Sequence, residues 1–505
     1  MSDGPARRLA ALFAERFAQG ASPALAVRAA GETSGGREAL QVDGMFGTID
    51  ESAPDTAPTP DTAFRIASCT KSFTAAGILC LRGAGLLDLD EDVRAFLPRL
   101  RLTGPVPVSG TGSGPMTLRM LLAMTSGFPA DNPWADRLEA LAREDFDDML
   151  AAGLRPVRPP GKMFGYSNLG YALLGRVIET VAGQDYRQFI TSALLHPLGL
   201  HHTGFDSALP VPVAVGYRRA PAGWEPQPLS PPGAFSAIGG LFSTISDLER
   251  WIRWLGEGFG PGLGNLPDSP LPRRVRREMQ QIHTVCPPLP GDPPGLVRGY
   301  GFGVRVEDLP RTGRIISHSG GYPGYSAHMC WHPPSGSVAL GFENAAYSRV
   351  GAPVRQALDL LIGAGRTGTA RHSPQLIQRA EPPAALPWPE LEAARAAVEA
   401  FVRNRDTASE RTLRALFAGN VELDVPFEER RNRLAGILEA LGPPVPPGTA
   451  DLPGTTADAS GCVLQWKIPT QHGQLGCEIH LSPAEPPRIS VLRFTGGPEP
   501  VSVEA

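Results

Sequence analysis

FRIASCTKSFTAAGILCLRGAG, residues 64–85, joins a serine and a lysine three positions apart to a stretch that predicts a mostly apolar helix. At a helix start, Ser68 and Lys71 share one face about one turn apart. A serine hydroxyl is a weak nucleophile without a neighbouring base, and a desolvated lysine can be kept partly neutral. The helix N-terminus adds backbone N–H groups for a developing oxyanion. The pattern predicts Ser68 as a nucleophile and Lys71 as its proton-handling partner.

Two later patterns fit the same chemistry. PGKMFGYSN, residues 160–168, places Tyr166 and Asn168 at a predicted loop-to-helix junction, where both would face one cavity. ISHSGG, residues 316–321, ends a strand-like stretch, and the small residues after His318 would let a substrate lie against a strand edge. Taken singly, each pattern has a plain structural alternative. S-x-x-K occurs by chance in long chains, the second pattern suits a helix cap, and the third suits a β-turn.

In this order and at this wide spacing, S-x-x-K, Y-x-N and H-x-G resemble the serine β-lactamase and penicillin-binding-protein superfamily. The tyrosine points away from class A, which has S-D-N as its second motif. It points towards the class C branch, which also holds esterases, D-amino-acid peptidases and amidases. The resemblance spans roughly residues 9 to 365 and includes four secondary phrases: LRMLLAMTSG at 118–127, PLGL at 197–200, GGLFST at 239–244 and YGFG at 300–303.

The resemblance implies a catalytic role for three residues. Ser68 would attack an acyl carbonyl and become acylated. Lys71 would hydrogen-bond Ser68 and Tyr166 and share their protons. Tyr166, as a phenolate or through Lys71, would take the serine proton and later activate the deacylating nucleophile. The family chemistry implied here needs neither a metal nor an organic cofactor.

The resemblance also implies the substrate contacts. Asn168 would orient the catalytic lysine and contact a substrate amide, and His318 and Gly320 would belong to the substrate-binding strand. The backbone N–H groups of Ser68 and Gly321 would form the oxyanion hole. His318 stands where many family members carry lysine, and imidazole, with an ordinary pKa of about 6.5, is mostly neutral at pH 7. A substrate carboxylate would be held less securely, which favours ester, amide or thioester substrates over a dedicated β-lactamase.

The length of 505 residues predicts two domains, because a single core seldom grows so large. The interpretation divides the chain into a hydrolase domain at 1–366, a linker rich in glycine and proline at 367–389, and a small α+β domain at 390–505, with helices first and strands second. For the first domain the resemblance implies an α/β fold, the β-lactamase/transpeptidase-like sandwich. That fold has a mainly antiparallel sheet, flanking helices and a helical subdomain inserted before Tyr166.

Composition excludes several classes of partner. The formal net charge of −4 provides no basic field for nucleic acid or an anionic membrane. The N-terminal apolar residues are interrupted by Glu15 and Arg16, which favours an amphipathic helix over a signal peptide. No uncharged apolar stretch is long enough to predict a membrane span, and the six cysteines are scattered. We expect a cytoplasmic protein that acts on a small-molecule or peptide acyl substrate, without nucleic-acid or membrane partners.

Other side chains near these patterns suggest weaker hypotheses. Cys69 is expected to point into the core as an inert thiol rather than to act as a nucleophile. Trp251 and Trp254 fit a buried helical stripe, whereas Trp134 is the better candidate for lining a substrate cleft.

Three functions stay open at this stage. The favoured one is a serine hydrolase that forms an acyl-enzyme at Ser68 on an ester, amide or thioester. One alternative is a penicillin-binding-protein-type thioesterase or peptide cyclase acting by aminolysis, and another is a slow-turnover β-lactam-binding or sensing protein. The C-terminal domain could serve carrier-protein docking or self-association. Arg488 and Arg493, on its last predicted strand, are hypothesised to meet an anionic substrate end at the active-site mouth, the alternative being a plain structural strand.

Overall fold

The computed structural model describes residues 4–32, 39–104, 115–260, 268–363, 386–446, 456–457 and 461–496. Up to residue 363 the described strands are β1 Ala24–Glu32, β2 Ala39–Gly47, β3 Phe64–Arg65, β4 Tyr217–Ala220, β5 Gly223–Pro226, β6 Phe242–Ser243, β7 Thr284–Val285, β8 Val297–Tyr300, β9 Arg305–Leu309, β10 Gly313–Tyr322, β11 Tyr325–His332 and β12 Ser337–Glu343. Eight of them form one sheet in the order β2-β1-β12-β11-β10-β9-β8-β7. Each of its pairings is antiparallel, so the expected sheet type is confirmed.

Helices cover both faces of this sheet. In the same part of the chain they are α1 Pro5–Ala18, α2 Thr70–Gly83, α3 Leu118–Leu122, α4 Arg143–Ala152, α5 Asn168–Ala182, α6 Tyr186–Ile190, α7 Ser236–Gly239, α8 Ile245–Gly256, α9 Arg273–Met279 and α10 Gly351–Leu361. α1 and α10 pack on one face and α8 on the other, and β11 and β12 are buried along their whole length between these layers. Within the described ranges, no helix is both long and apolar enough to cross a membrane.

The helical layer is built around α2. Nearly all of its side chains are buried, which is the pattern of a helix enclosed on all sides rather than one with a solvent face. α5 and α7 pack against it. The expected helices before Tyr166 are present as α3 and α4, and the helical layer continues beyond that residue in α5. The helical layer has to continue there, because α5 completes the enclosure of α2.

The C-terminal part consists of helices followed by a small sheet. Its elements are α11 Glu390–Asn404, α12 Thr407–Arg414, α13 Asn420–Asp424, α14 Phe427–Leu441, β13 Thr456–Ala457, β14 Val463–Thr470, β15 Gly473–Leu481 and β16 Ile489–Gly496. The sheet order is β13-β14-β15-β16. The sequence pattern missed α13, which is a single short turn of helix. Most of the predicted linker lies outside the described residues, but Trp388 within it is buried in the C-terminal core.

An arginine of the first domain docks the C-terminal domain. The guanidinium of Arg155 bonds the Glu485 carboxylate at 2.9 Å through two of its nitrogens and reaches Glu390 at 2.9 Å. It also lies 4.9 Å from the centre of the Trp388 ring. Arg155 is buried between these groups, so both carboxylates of the other domain are needed to compensate its charge.

Two more ion pairs join the C-terminal domain to the first domain. Arg137, between α3 and α4, pairs with Asp424 of α13 at 2.8 Å. Arg218 of β4 pairs with Glu429 of α14 at 3.2 Å. The helices α13 and α14 therefore contact one loop of the helical layer and one hairpin beside the main sheet.

The contacts of Arg488 and Arg493 favour the structural-strand alternative over a contact with substrate. The guanidinium of Arg488 donates to the Ala415 carbonyl at 2.9 Å, and that of Arg493 bonds Glu478 at 2.8 Å. Both partners lie in the C-terminal domain itself, because β16 packs inside that domain. Contacts with the rest of the chain come from its helices and from residues 483–485.

We predict that Arg155→Ala loosens this docking. The substitution leaves two carboxylates without their cation and removes the contact with Trp388, so the free energy of unfolding should fall by about 2–4 kcal/mol. Denaturant unfolding measures the loss, and amide hydrogen exchange of residues 386–496 shows whether it lies in the C-terminal domain.

Arg99→Ala is the matched control for Arg155→Ala. Arg99 pairs with Asp148 at 2.7 Å on the surface, where both side chains are more than half exposed. Its removal should cost about 0.5 kcal/mol or less. Equal losses in the two variants would contradict a docking role for Arg155.

Candidate active site

Ser68 lies in a tight turn that opens α2. The turn, Ala67–Cys69, follows β3, and β3 is held by its pairing with β6. Ala67 has φ 48°, a left-handed conformation that is strained for a residue with a side chain. The surrounding packing imposes this conformation, and it sets the orientation of Ser68 at the start of the helix.

Lys71 is completely buried one helical turn further on. Its Nζ donates to Ser68 Oγ at 2.9 Å and to the carbonyl oxygen of Ile238 at 2.8 Å. Burial lowers the pKa of Lys71 to about 7, although the negative charges of Asp136 and Asp131 act in the opposite direction. A large fraction of Lys71 is therefore neutral near pH 7, with a lone pair 2.9 Å from the serine oxygen.

Tyr166 stands beside this pair. The Lys71 Nζ lies 5.2 Å from the centre of the Tyr166 ring. Burial raises the pKa of Tyr166 above its ordinary value, although the nearby Ser68 hydroxyl and the Arg305 charge oppose the shift. The phenol therefore keeps its proton, and of the two routes expected for the serine proton the one through Lys71 agrees better with this environment.

His318 is buried on β10 as a neutral imidazole. Its Nδ1 lies 2.7 Å from the Ser319 carbonyl oxygen, which can only accept a hydrogen bond, so Nδ1 carries the proton. Its Nε2 then accepts from the Tyr300 hydroxyl at 3.0 Å. Burial, together with the positive charge of Lys71, lowers the pKa of His318 well below its ordinary value. The imidazole thus adds no positive charge to the site.

Two glycines let β10 lie against the nucleophile turn. A Cβ on Gly320 would sit 2.3 Å from the Ile66 carbonyl oxygen, and one on Gly321 would sit 2.6 Å from the Tyr347 ring. Both distances are far shorter than a real contact allows, so only glycine fits at these two positions. This close approach puts the segment that carries the Gly321 N–H next to the turn that carries Ser68.

Asn168 makes different contacts from those expected. Its side-chain amide donates to Asn132, and its backbone N–H donates to Asp131 at 2.8 Å. In the described part of the chain it has no hydrogen bond to Lys71, and its Oδ1 is buried without a partner. The expectation that Asn168 orients Lys71 is not met here; the Ile238 carbonyl takes that place, because α7 packs directly on α2.

Sequence patterns missed two buried carboxylates near Lys71. Asp131 accepts the backbone N–H of Leu169 at 2.7 Å and so holds the first turn of α5. Asp136 accepts the Tyr347 hydroxyl at 2.9 Å. Burial raises the pKa of both carboxyls, while the charge of Lys71 lowers them. Their residues stand in a loop without a motif, so nothing in the sequence placed them next to the lysine.

Sequence patterns also missed Arg305, the first residue of β9. Its guanidinium lies 5.8 Å from the centre of the Tyr166 ring. Among the described residues no carboxylate forms an ion pair with it, and the side chain is partly exposed. A cation thus stands at the edge of the site, although His318 is neutral.

The remaining side chains divide between confirmed and wrong predictions. Cys69 is buried, donates to the His318 carbonyl at 3.4 Å, and has a pKa raised to about 12 by burial, so it is inert as predicted. Trp251 and Trp254 are fully buried, also as predicted. The prediction that Trp134 lines a substrate cleft is wrong. Its buried ring lies edge-on to the Phe235 ring, with the two ring centres 6.2 Å apart.

The arrangement combines the parts of nucleophilic acyl transfer. The serine oxygen lies beside an amine that is partly neutral, and backbone N–H groups stand at a helix start and on an adjacent strand. No group of His, Cys, Asp and Glu in the described ranges is arranged to hold a metal ion.

Comparison with known proteins gives a family match over most of the chain. The family model described as Beta-lactamase matches residues 9–364. Protein flp of Staphylococcus aureus (strain MRSA252) is 29% identical over 306 residues, which are 57% of this chain and 54% of that protein. Penicillin-binding protein 4* of Bacillus subtilis (strain 168) is 30% identical over 284 residues, 53% of this chain and 57% of that protein. The chain spans about half the length of these curated relatives.

A solved structure resembles nearly the whole chain. The octameric penicillin-binding protein homologue from Pyrococcus abyssi superposes with a TM-score of 0.58 over 96% of this chain and 99% of that one, at 20% sequence identity. At this identity the likeness concerns the fold alone.

We predict that acylation of Ser68 rises with pH around a midpoint of about 7, the pKa of Lys71. Burial places this pKa below the ordinary value of lysine, so the neutral amine that accepts the serine proton accumulates above pH 7 and is lost below it. Stopped-flow acylation by a p-nitrophenyl ester between pH 5 and 9 measures the profile.

Lys71→Arg is the control for the pH profile, since a guanidinium keeps its proton throughout this range. The variant should lose the rise with pH and react at least about 100-fold more slowly. A flat wild-type profile, or a rise that persists in Lys71→Arg, would contradict the role of Lys71.

Proposed function

The chain belongs to the Beta-lactamase family, and we propose that it is a serine hydrolase that forms an acyl-enzyme at Ser68 on an ester, amide or thioester. One observation carries the proposal. Lys71, buried and with a pKa of about 7, holds its Nζ 2.9 Å from the Ser68 oxygen. A lysine that served only stability would not be buried with so few partners, because an enclosed charge costs free energy.

Acylation begins from neutral Lys71. Ser68 Oγ attacks the acyl carbonyl carbon while its proton passes to Lys71 Nζ. The carbonyl oxygen becomes an oxyanion that accepts from the backbone N–H groups of Ser68 and Gly321. The protonated lysine then gives its proton to the leaving oxygen, nitrogen or sulfur, directly or through the Tyr166 hydroxyl, and the bond to the leaving group breaks.

Deacylation repeats these steps with another nucleophile. Water, or an amine, attacks the acyl carbon and loses a proton to Lys71, with the Tyr166 hydroxyl as a relay. Ser68 Oγ departs and recovers its proton, which leaves free enzyme and an acid or an amide. Hydrolysis and aminolysis thus use the same groups and differ only in which acceptor reaches the acyl-enzyme.

The charges around the site support a preference among substrates. His318 is neutral, so the position that carries lysine in many relatives adds no cation here. Arg305 provides a positive charge at the edge of the site, beside Tyr166 and without a carboxylate partner among the described residues. A peptide-like substrate whose leaving portion ends in a carboxylate would bring that group towards Arg305.

Intact-mass spectrometry tests the proposed function. The protein is incubated separately with a p-nitrophenyl ester, a D-peptide thioester and a penicillin, and the products are analysed for free acid and cyclic amide. We expect an acyl adduct on Ser68 that turns over with the ester or the thioester, and none in Ser68→Ala.

Each other result has a defined meaning. A penicillin adduct that persists while the other two reagents fail to react would favour a binding or sensing protein over a hydrolase. Cyclic product from the linear thioester would assign aminolysis. An absence of any adduct, with no difference between wild type and Ser68→Ala, would overturn the proposed function.

We predict that Arg305 distinguishes carboxylate from amide substrates. For a peptide thioester with a carboxylate on its leaving portion, Arg305→Leu should lower kcat/KM by about tenfold, the effect of one charge-assisted hydrogen bond. For the matched substrate with a carboxamide there, kcat/KM should change less than about twofold. Arg305→Lys, which keeps the charge, should retain part of the preference. Equal effects on both substrates would remove Arg305 from substrate selection.

A further inference from the structure

Glu139 is a fully buried carboxylate that the three sequence motifs do not include. It lies in the loop before α4, in the helical layer. Three donors from distant parts of the chain converge on it. The Ser236 hydroxyl donates to Oε1 at 2.7 Å, the Tyr322 hydroxyl donates to Oε2 at 2.9 Å, and Nη2 of Arg65 lies 3.1 Å from Oε2.

The Arg65 guanidinium belongs to the chain segment that carries the nucleophile. Arg65 precedes Ser68 by three residues, at the end of β3. Besides Glu139, its guanidinium bonds the Gly239 carbonyl through Nε at 3.1 Å. Both ends of this planar group are therefore held, and with them the strand from which the strained turn at Ala67 starts.

The Ser236 hydroxyl belongs to the segment that holds the lysine. Ser236 is the first residue of α7, and the carbonyl of Ile238 in the same short helix accepts the Lys71 ammonium at 2.8 Å. A hydrogen bond from Ser236 to Glu139 thus sets the position of the helix that orients Lys71.

The Tyr322 hydroxyl belongs to the strand of the oxyanion hole. Tyr322 ends β10 and directly follows Gly321. The Arg65 guanidinium lies 4.1 Å from the centre of the Tyr322 ring, so this side chain is held by its hydroxyl and by its face. The Gly321 N–H is therefore one residue away from a side chain that is bound to Glu139.

The packing around Glu139 also explains the two glycines that open the GGLFST phrase at 239–244. A Cβ on Gly240 would sit 2.8 Å from Glu139 Oε1, and one on Gly239 would sit 3.1 Å from the Tyr322 ring. The two glycines leave the space that the carboxylate and the tyrosine occupy. This packing leaves little freedom for any of the three donors to move alone.

We propose that Glu139 is a positioning residue for catalysis, which holds the nucleophile turn, the lysine-orienting helix and the oxyanion strand in one fixed arrangement. The inference rests on the proposed function. A buried ion pair adds little net stability in general, because its desolvation offsets its attraction. The geometry here gives it a different use, since displacing a reacting group by about 1 Å can slow catalysis on the order of 100-fold.

Single-turnover acylation of the full-length chain by p-nitrophenyl acetate tests the proposal. Glu139→Gln keeps the shape but removes the charge and turns an amide NH₂ towards donors. The acylation rate constant should fall on the order of 100-fold, while the dissociation constant of the ester stays within about twofold because Glu139 does not touch substrate. Tyr322→Phe removes one hydroxyl and should slow acylation about tenfold.

Glu343→Gln is the matched control. Glu343 forms a similarly buried pair with Arg16 at 2.8 Å, on the face of the sheet that α1 covers. This variant should lose thermal stability like Glu139→Gln and still acylate within about twofold of wild type.

The outcomes separate the two claims. If the wild-type protein is acylated and both Glu139→Gln and Tyr322→Phe react at the wild-type rate, the positioning role alone is overturned. A loss in Glu343→Gln as large as in Glu139→Gln would also overturn it, since general stability would then explain both. If Glu139→Gln does not fold, the rate of Tyr322→Phe decides. No wild-type adduct would overturn the proposed function, and the positioning role with it.

Discussion

The enclosure of one ammonium group governs the rest of this structure. Lys71 is fully buried in the first domain, with its Nζ bonded to one hydroxyl and one carbonyl oxygen. No carboxylate among the described residues forms an ion pair with it. An amine in such surroundings keeps its proton weakly, and its lone pair is then available to a serine one helical turn away.

Several features follow from that constraint. The side chains of His318 and Tyr166 beside the lysine carry no charge, since one is a neutral imidazole and the other a neutral phenol. The nearby carboxylates accept hydrogen bonds from other groups: Asp131 from the start of α5 and Asp136 from the Tyr347 hydroxyl. Their negative charge still reaches Lys71 and keeps its pKa from falling further. The two carboxylates therefore act on the Lys71 amine through space rather than through a direct ion pair.

The positions of these groups depend on contacts among segments far apart in the chain. Burial alone would lower the pKa of Arg65, but the charge of Glu139 holds it above the ordinary value, so the guanidinium keeps its charge inside the core. Arg137 and Arg218 connect the C-terminal domain to a loop and a hairpin of the first domain, and Arg137 follows Asp136 directly. The C-terminal domain thus supports the loop that carries one of the carboxylates near Lys71.

Much of this could be predicted from the amino-acid sequence, because some of its patterns are local. The S-x-x-K spacing on an apolar helix brings Ser68 and Lys71 together by helical geometry alone, and alternating apolar residues predicted the strands of the C-terminal domain. The sequence could not show that Ile238 rather than Asn168 bonds the lysine, that Trp134 is buried, or that Glu139 and Arg305 stand near the site. Those facts depend on which helices and strands pack together, and no spacing along the chain encodes that. The three-residue spacing on a helix determined that Ser68 and Lys71 lie together, and tertiary packing set the electrostatic surroundings of the pair, since burial and charge act through space.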